Sequence, residues 1–71
     1  MRRAYKTLVA RTLIINTKSD KAFRGVLWGE ARDYLILRNA VLIAGQETPI
    51  DGELLVERAN IDFIQIVNPE A

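Results

Sequence analysis

The side chains in this sequence that could do chemistry are carboxylates, because the chain contains neither histidine nor cysteine. Histidine is the commonest general base and a cysteine thiolate is the most reactive side-chain nucleophile, so two usual parts of a catalytic site are missing. The only serine, Ser19, has no histidine to activate it. A carboxylate pair could still form if the fold brought together two of the acids Glu30, Asp33, Glu57 and Asp62. We predict that the protein is not an enzyme.

Metal binding would also depend on carboxylates, which suit Ca²⁺ or Mg²⁺. The nine acidic residues are scattered along the chain and show no calcium-loop spacing, so we predict no metal site and no cofactor. A domain of 71 residues buries only about 60% of the surface that its unfolded chain exposes, so its core is marginal. Without disulfides or metals, the remaining source of stability is association with copies of itself, which we predict.

The charges are unevenly distributed along the chain. Ten basic and nine acidic residues give a net charge of +1, which does not by itself indicate a nucleic-acid partner. Basic residues dominate the N-terminus, where no acid precedes Asp20; they include Arg2, Arg3, Lys6 and Arg11. This cluster could contact phosphates in a salt-sensitive manner. It could equally be an ordinary solvated face, which is the interpretation that we favour.

The sequence shows no sign of a membrane segment. No apolar run approaches the ~20 residues that a membrane-spanning helix needs. The basic N-terminus is not followed by the apolar segment of a signal peptide. These features predict a soluble cytoplasmic protein with no membrane partner.

The hydrophobic pattern predicts an all-β fold with a short N-terminal helix. Apolar residues recur at helical spacing over about residues 2–10 and then alternate with a period of two. The alternating segments predict five strands, at about residues 11–17, 21–30, 34–43, 53–58 and 61–67. The segment 44–52 contains Pro49 and an Asp-Gly pair and is predicted to be a loop. We expect a single domain over residues 1–71.

Two glycines, Gly25 and Gly29, interrupt the second predicted strand. Glycine inside a strand marks a sharp bend or a close backbone approach, and bent strands let a small sheet curl into a barrel. We therefore expect a strongly bent, open, five-stranded barrel. Its last two strands are short and apolar, and an exposed apolar strand edge invites pairing with another chain. A ring or another closed oligomer would cover that edge.

The fourth and fifth predicted strands are expected to form the contacts between copies. The predicted interface residues are Leu54, Val56, Glu57, Arg58, Ile61, Phe63, Ile64 and Ile66. Ion pairs between copies are expected from Glu57, Arg58 and Asp62, each worth only about 0–1 kcal/mol when exposed. An aspartate in place of Val56 or Ile64 is expected to break the assembly, because both positions are predicted in the apolar seam.

Three segments resemble the two sequence motifs of the Sm and Hfq-type family of small β-barrels. Lys18–Gly29 resembles the first motif, in which a hairpin turn precedes an aromatic residue, one further residue, a glycine and an apolar pair. Tyr34–Ala40 is similar to the end of that motif, and Leu54–Ile64 looks like the second motif. The order of helix, three strands, variable loop and two strands agrees over about residues 2–67. The resemblance implies an Sm-like fold.

The sequence departs from this pattern where the family binds RNA. The resemblance implies a uridine pocket built from an aspartate and an asparagine of the first motif and the Arg-Gly pair of the second. Tyr34 stands at the asparagine position, and Glu57 and Arg58 replace the Arg-Gly pair. A carboxylate repels phosphate, and losing the glycine removes the backbone freedom that a tight turn needs. The fold is therefore expected to carry over without the pocket.

The loop and the strand after it are similar to small Sm-like proteins encoded by tailed phages of actinobacteria. The shared run is a Pro-apolar-Asp-Gly-Glu loop, then apolar residues, an acid and an arginine, and finally an apolar-x-Phe-apolar-Gln ending. In this chain the run extends from Pro49 to Gln65. This similarity implies a role in a virion or its assembly, in the host cytoplasm or in the particle.

Two aromatic residues have alternative interpretations. Trp28, predicted on the face opposite Phe23 and Leu27, could stack on a base or form part of a protein interface, which we favour. Tyr34 could stack on a base or fill space at the barrel mouth, and we favour the second. If nucleic acid is bound, the residues expected to contact it are Arg2, Arg3, Lys6, Arg11, Trp28 and Tyr34.

The leading functional hypothesis is a non-enzymatic, self-associating barrel that acts as a structural or assembly module and binds another protein. The alternative is an RNA-binding ring that uses the basic helix and the outward aromatics in place of the uridine pocket. A nucleolytic or phosphate-releasing enzyme is a distant third. Co-purified nucleic acid would favour the alternative, whereas stoichiometric presence in purified particles would favour the virion component.

Overall fold

The computed structural model describes residues 8–68. This part of the chain forms one six-stranded sheet in which every paired strand is antiparallel to its neighbour. The strands are β1 (Thr12–Thr17), β2 (Ala22–Ala31), β3 (Tyr34–Ala44), β4 (Gln46–Pro49), β5 (Glu53–Glu57) and β6 (Ile61–Ile66). A 3₁₀ turn, Arg58–Asn60, joins β5 to β6.

The sheet has the strand order β4-β3-β2-β1-β6, and β5 pairs with β3 beside β4. The long strand β3 carries two partners on one edge, because its second half pairs with β4 and its first half with β5. Between the two halves, Asn39 adopts a left-handed φ of 52°. The backbone N–H of Ile50 donates to the carbonyl of Ala40 at 2.8 Å and holds the connection from β4 to β5 against this break.

The strands β2 and β3 approach each other closely at Gly25. The pairing register of the two strands shifts between Arg24 and Val26, next to this glycine. A Cβ atom on Gly25 would lie 3.2 Å from the Cα and Cβ of Ala40 and from the carbonyl oxygen of Arg38. The missing side chain therefore allows the two backbones to approach closely, and the sheet curls at this point.

The concave side of the bent sheet holds the core. Leu13 and Ile15 of β1 alternate with less buried neighbours, as expected for a strand with one face turned inward. The strands β2, β3 and β5 contribute the other buried residues of the core, which are Leu27, Leu35, Leu37, Ala40 and Val56. Half-buried apolar side chains surround this cluster, namely Leu8, Phe23, Ile50, Leu54, Ile61 and Ile64. So small a core leaves much apolar surface at the strand edges.

The predicted N-terminal helix is wrong for the residues of it that the structure describes. Residues 8–10 form a turn that is closed by a hydrogen bond from the N–H of Arg11 to the carbonyl of Leu8 at 2.9 Å. Ala10 has a left-handed φ of 73°, which a right-handed helix does not contain. The remainder of that prediction, including Arg2, Arg3 and Lys6, lies outside the described residues.

The predicted five-stranded open barrel is also wrong in its number of strands, because the sheet formed by residues 8–68 has six. The additional strand, β4, lies in the segment 44–52 that was predicted to be a loop. Gly45, with a left-handed φ of 75°, reverses the chain so that Gln46 pairs with Ala44. All four residues of β4 are exposed, so the strand has no apolar alternation by which its sequence could be recognised. Proline is tolerated in it because β4 lies at the edge of the sheet.

Candidate assembly edges and the adjoining turns

Two strands present a free backbone edge beside apolar side chains. Within residues 8–68, β5 pairs only with β3 and β6 pairs only with β1. The outer N–H and C=O groups of both strands are therefore available to another strand. The strand β4 also lies at an edge, but its residues are polar apart from Pro49, which protects it against pairing. The apolar edges β5 and β6 are the candidate assembly site.

The residues predicted on β5 divide between the core and the surface. Val56 is buried, with 5% of its surface exposed, and Leu54 packs against the core from a half-buried position. Leu55, which the sequence analysis did not select, is 54% exposed and faces outward between Glu53 and Glu57. The sequence signal that could have identified Leu55 is an apolar residue on the side of the strand that is otherwise polar.

The strand β6 divides in the same way. Ile61 and Ile64 are half-buried against the core. Phe63 is 54% exposed and Ile66 is 44% exposed, so both offer apolar surface beside the free edge. Phe63 lies opposite Asn16 in the pairing of β6 with β1, which places it on the outward face. The contacts of all these residues with another copy remain a prediction.

Arg58 has a partner within its own chain. Its guanidinium Nη2 forms an ion pair with Glu30 Oε1, and both side chains are mostly buried. The same nitrogen lies 3.4 Å from the carbonyl oxygen of Ala31, and the backbone N–H of Arg58 donates to the carbonyl of Asp33 at 2.8 Å. Arg58 therefore fixes the 3₁₀ turn to the turn between β2 and β3, and its contact with a neighbouring copy remains a prediction.

Replacing Arg58 with Leu is expected to lower the free energy of unfolding by about 1–3 kcal/mol, because Glu30 is then left mostly buried without this partner. The measurement is urea unfolding followed by circular dichroism. Arg24→Leu is the matched control, because the ion pair of Arg24 with Glu47 is well exposed and surface pairs contribute little. Equal losses in the two variants would contradict the structural role of Arg58.

The turns that correspond to the uridine pocket of the resemblance carry an excess of negative charge. Around the junction of β2 with β3 and the 3₁₀ turn, the acids Glu30, Asp33 and Glu57 outnumber the bases Arg32 and Arg58. Arg58 is neutralised by Glu30. Phosphate is repelled by this arrangement at close range. The charge of these turns therefore disfavours a phosphate group.

Of the residues predicted to contact nucleic acid, the structure describes Arg11, Trp28 and Tyr34, and their role remains a prediction. Tyr34 is exposed and lies directly opposite Glu57 in the pairing of β3 with β5. Trp28 is 51% exposed, and the guanidinium carbon of Arg38 lies 3.9 Å from its ring centroid. Arg11 is half-buried, and its carbonyl accepts a hydrogen bond from the N–H of Leu27 at 2.9 Å.

An exposed ion pair links β2 to β4 across the intervening strand β3. The Arg24 Nη1 and Nη2 atoms donate to the two carboxylate oxygens of Glu47 at 2.7 and 2.8 Å. These hydrogen bonds lower the pKa of the Glu47 carboxyl and raise the pKa of the Arg24 guanidinium. Since the pKa of Glu47 is lower in the folded chain, its stabilising contribution is present above the ordinary carboxyl pKa and is lost as the pH falls through the lowered value.

The described residues contain no group of three or more acidic, histidine or cysteine side chains placed to hold a metal ion. Over the same residues, no helix has the length and apolar character needed to cross a membrane. A shallow open groove of about 240 Å³ lies on the outward face and includes Asn16, Lys21, Asp62 and Phe63 in its lining. Its lining mixes polar and apolar side chains.

Several solved structures are similar to this chain over most of its length. A heptameric archaeal Sm protein superposes with a TM-score of 0.80 at 20% identity, covering 93% of this chain and 98% of its own. The SmAP1 heptamer of P. aerophilum gives a TM-score of 0.83 at 20% identity, with 97% and 95% covered. An Sm-like protein of Archaeoglobus fulgidus gives 0.73 at 24% identity, with 93% and 92% covered. The fold is Sm-like.

The Sm-like resemblance of the sequence is thereby confirmed at the level of the fold. No family model matches the sequence, and no curated protein is similar to it. This chain therefore shares the order and bending of its strands with the Sm-like structures more than it shares their residue identities. Nothing in these similarities points to a phage origin.

Proposed function

We propose that this protein is a non-enzymatic structural or assembly module that forms a homo-oligomeric ring. In the ring, the free edge of β5 in one copy pairs with the free edge of β6 in the next. The observation that carries this proposal is the presence of two unpaired apolar strand edges in one small bent sheet. Exposed edges of this kind are an aggregation hazard unless another strand covers them.

The side chains of the two edges are compatible with such pairing. The inward residues Leu54 and Val56 of β5 would pack beside Ile64 and Ile66 of the next copy and extend the core across the seam. On the outward face, Leu55 would lie near Phe63 of that copy. Antiparallel cross-strand pairs of apolar residues contribute roughly 0.2–1 kcal/mol each, in addition to the backbone hydrogen bonds.

A contact between two different edges has a simple geometric consequence. Because β5 and β6 are distinct surfaces, every copy can pair on both sides, and such head-to-tail contacts generate a ring when the rotation closes. Two of the similar Sm-like structures are heptamers. Their heptameric assembly supports the proposal, and the molar mass measured below gives the number of copies in the present ring.

The partner of the assembly is proposed to be another protein rather than RNA. The acidic excess at the turns and the pairing of Arg58 with Glu30 disfavour a phosphate-binding pocket. The basic N-terminus and the exposed aromatic residues Trp28 and Tyr34 favour the alternative, an RNA-binding ring. The proposed place in a phage particle rests only on the run from Pro49 to Gln65.

Replacing Phe63 with Asp is expected to dissociate the assembly into folded monomers, because it removes apolar surface and brings a carboxylate towards Glu57 of the next copy. Ile66→Asp is expected to act in the same direction. The measurement is the molar mass by light scattering over a range of concentrations, together with the circular dichroism spectrum. Thr48→Asp on β4 is the matched control and is expected to retain the mass of the unmodified protein.

An oligomer of unchanged mass in the Phe63→Asp and Ile66→Asp variants would refute pairing through β6. A monomeric unmodified protein at micromolar concentration would refute the proposed ring itself. Fluorescence anisotropy with labelled U-rich and A-rich RNA then tests the alternative. Sequence-dependent binding that survives physiological salt would favour an RNA ring, whereas binding that fades with salt would indicate phosphate attraction alone.

A further inference from the structure

The two proposed assembly edges are joined to each other by three residues. Within residues 8–68, β5 pairs with β3 and β6 pairs with β1, so the two edges lie on opposite sides of the sheet. The 3₁₀ turn Arg58–Asn60 connects them directly. In a head-to-tail assembly, the rotation from one copy to the next depends on the angle between the two surfaces used. The conformation of the 3₁₀ turn therefore affects whether a ring closes and how many copies it contains.

The β5 end of the 3₁₀ turn is attached to the turn between β2 and β3. The backbone N–H of Arg58 donates to the carbonyl of Asp33 at 2.8 Å, and the Arg58 guanidinium forms the ion pair with Glu30 described above. Both partners belong to the segment that joins β2 to β3 or to the last residues of β2. The end of β5 is thereby held against the long strands of the sheet.

The β6 end of the 3₁₀ turn is attached to a different part of the chain, the turn between β1 and β2. The backbone N–H of Lys18 donates to the carbonyl of Asn60 at 2.7 Å. The side-chain Nδ2 of Asn60 donates to the Oγ of Ser19 at 3.2 Å. Asn60 therefore contacts the β1–β2 turn through its backbone and through its side chain.

The Ser19 hydroxyl is oriented by the buried side chain of Thr17. Thr17 Oγ1 donates to the carbonyl of Lys21 at 3.0 Å, accepts from the N–H of Lys21 at 3.0 Å, and lies 3.0 Å from Ser19 Oγ. Since the Thr17 hydroxyl hydrogen is used on Lys21, the Ser19 hydroxyl donates to Thr17 and accepts from Asn60. The bonds from Asn60 through Ser19 to Thr17 thus run in one direction and strengthen one another.

The strand β6 begins with an irregularity at the same place. The pairing register of β1 with β6 shifts between Asn16 and Thr17, so that Ile61 pairs with Thr17. Irregularities of this kind bend a strand and increase its local twist. The direction in which β6 leaves the 3₁₀ turn therefore depends on how Asn60 is held against the β1–β2 turn.

We propose, on the basis of the proposed ring, that the hydrogen bond of Asn60 with Ser19 determines ring closure by fixing the angle between β5 and β6. Asn60 is a positioning residue, because it acts on the direction of β6 from within the 3₁₀ turn. Copies that lack this bond still pair edge to edge, but at a variable angle. They form open chains and rings of several sizes. Every copy of a ring carries the same turn, so a small change per copy is multiplied around the ring.

The experiment measures the masses of the assemblies formed by the full-length protein, by native mass spectrometry and by light scattering. Asn60→Ala and Ser19→Ala each remove the hydrogen bond, and Ser19→Thr keeps a hydroxyl at the same position. Loss of one hydrogen bond changes an equilibrium constant by roughly two- to tenfold. We expect the fraction of protein in the principal mass to fall by at least about twofold in both alanine variants. Ser19→Thr is expected to retain the single mass of the unmodified protein.

Asn16→Ala is the matched control, because it removes the same kind of side chain and the same kind of bond elsewhere between β1 and β6. The Nδ2 of Asn16 donates to Gln65 Oε1 at 3.3 Å, away from the 3₁₀ turn. This variant is expected to retain the single mass. Urea unfolding of each variant records the stability of the protomer separately from the assembly. Ser19 is exposed, so Ser19→Ala is expected to remain folded.

Three results would overturn the proposal while leaving the ring intact. The first is a single unchanged mass in both Asn60→Ala and Ser19→Ala. The second is equal broadening of the masses in Asn16→Ala, which would assign the effect to the attachment of β6 in general. The third is equal broadening in Ser19→Thr, which would show that the hydroxyl is not the cause. A monomeric unmodified protein would instead refute the proposed ring, and the present proposal with it.

Discussion

Replacing Val56 with Asp is expected to unfold the protomer rather than merely to dissociate an assembly. Val56 is 5% exposed and belongs to the core cluster, where its neighbour across the strand pair is the fully buried Leu35. A carboxylate at this position must be buried without a partner or drive the strand out of the sheet, at a cost of several kcal/mol. A domain of this size is stable by roughly 4–10 kcal/mol. The variant is therefore expected to be largely unfolded or strongly destabilised.

The matched control is the adjacent residue on the same strand. Leu55 is 54% exposed within the protomer and faces outward, so Leu55→Asp is expected to leave the protomer folded, with a change of less than about 1 kcal/mol in its own free energy of unfolding. Circular dichroism and urea unfolding of both variants measure the difference. A folded Val56→Asp protein with the stability of Leu55→Asp would show that β5 is not seated on the core as described. The sequence alone placed Val56 in the seam between copies, and its burial changes what this substitution tests.

Placing alanine at Gly25 is expected to destabilise the fold by about 1–3 kcal/mol, which is the usual cost of forcing additional atoms into a closely packed site. The new Cβ would lie 3.2 Å from the Cα and the Cβ of Ala40 and from the Arg38 carbonyl oxygen. Two of these three atoms belong to the backbone of the facing strand. The strands would have to separate at the point where the sheet bends. Thermal and urea unfolding measure the loss.

Gly29 provides the control for this prediction within the same strand. Alanine there meets no atom within 4 Å and needs no left-handed backbone. Because it reduces the freedom of the unfolded chain, Gly29→Ala is expected to be neutral or to stabilise by about 0.4–1 kcal/mol. Equal effects at the two positions would contradict a close approach at Gly25. Ala40→Gly in the Gly25→Ala background is expected to recover part of the loss, since it removes one of the three contacts.

The candidate site could be predicted only in part, because neighbouring residues of a strand differ in burial. Leu54 and Val56 were selected because apolar residues alternate along this strand. The same alternation is expected of a face that packs on the core of its own protomer and of a face that contacts another copy. Leu55 was not selected because it breaks the alternation, and its exposure becomes visible only once β5 is paired with β3. The ion pair of Arg58 with Glu30 was not predicted, because the two residues are 28 positions apart in the sequence.

The sequence by itself determined the Sm-like character, the β-rich pattern, and two candidate positions for a close approach, Gly25 and Gly29, of which the structure shows one at Gly25. These features depend on local signals, namely period-two alternation, turn residues and a glycine within a strand. Only the tertiary structure decided that Gln46–Pro49 is a strand and that residues 8–10 form a turn. It also decided which apolar residues remain exposed at the edges. The physical reason is that a polar edge strand is held by hydrogen bonds to its neighbour, which its own sequence does not reveal. The exposure of a side chain likewise depends on which strands pair, and the order of residues along a single strand does not determine that pairing.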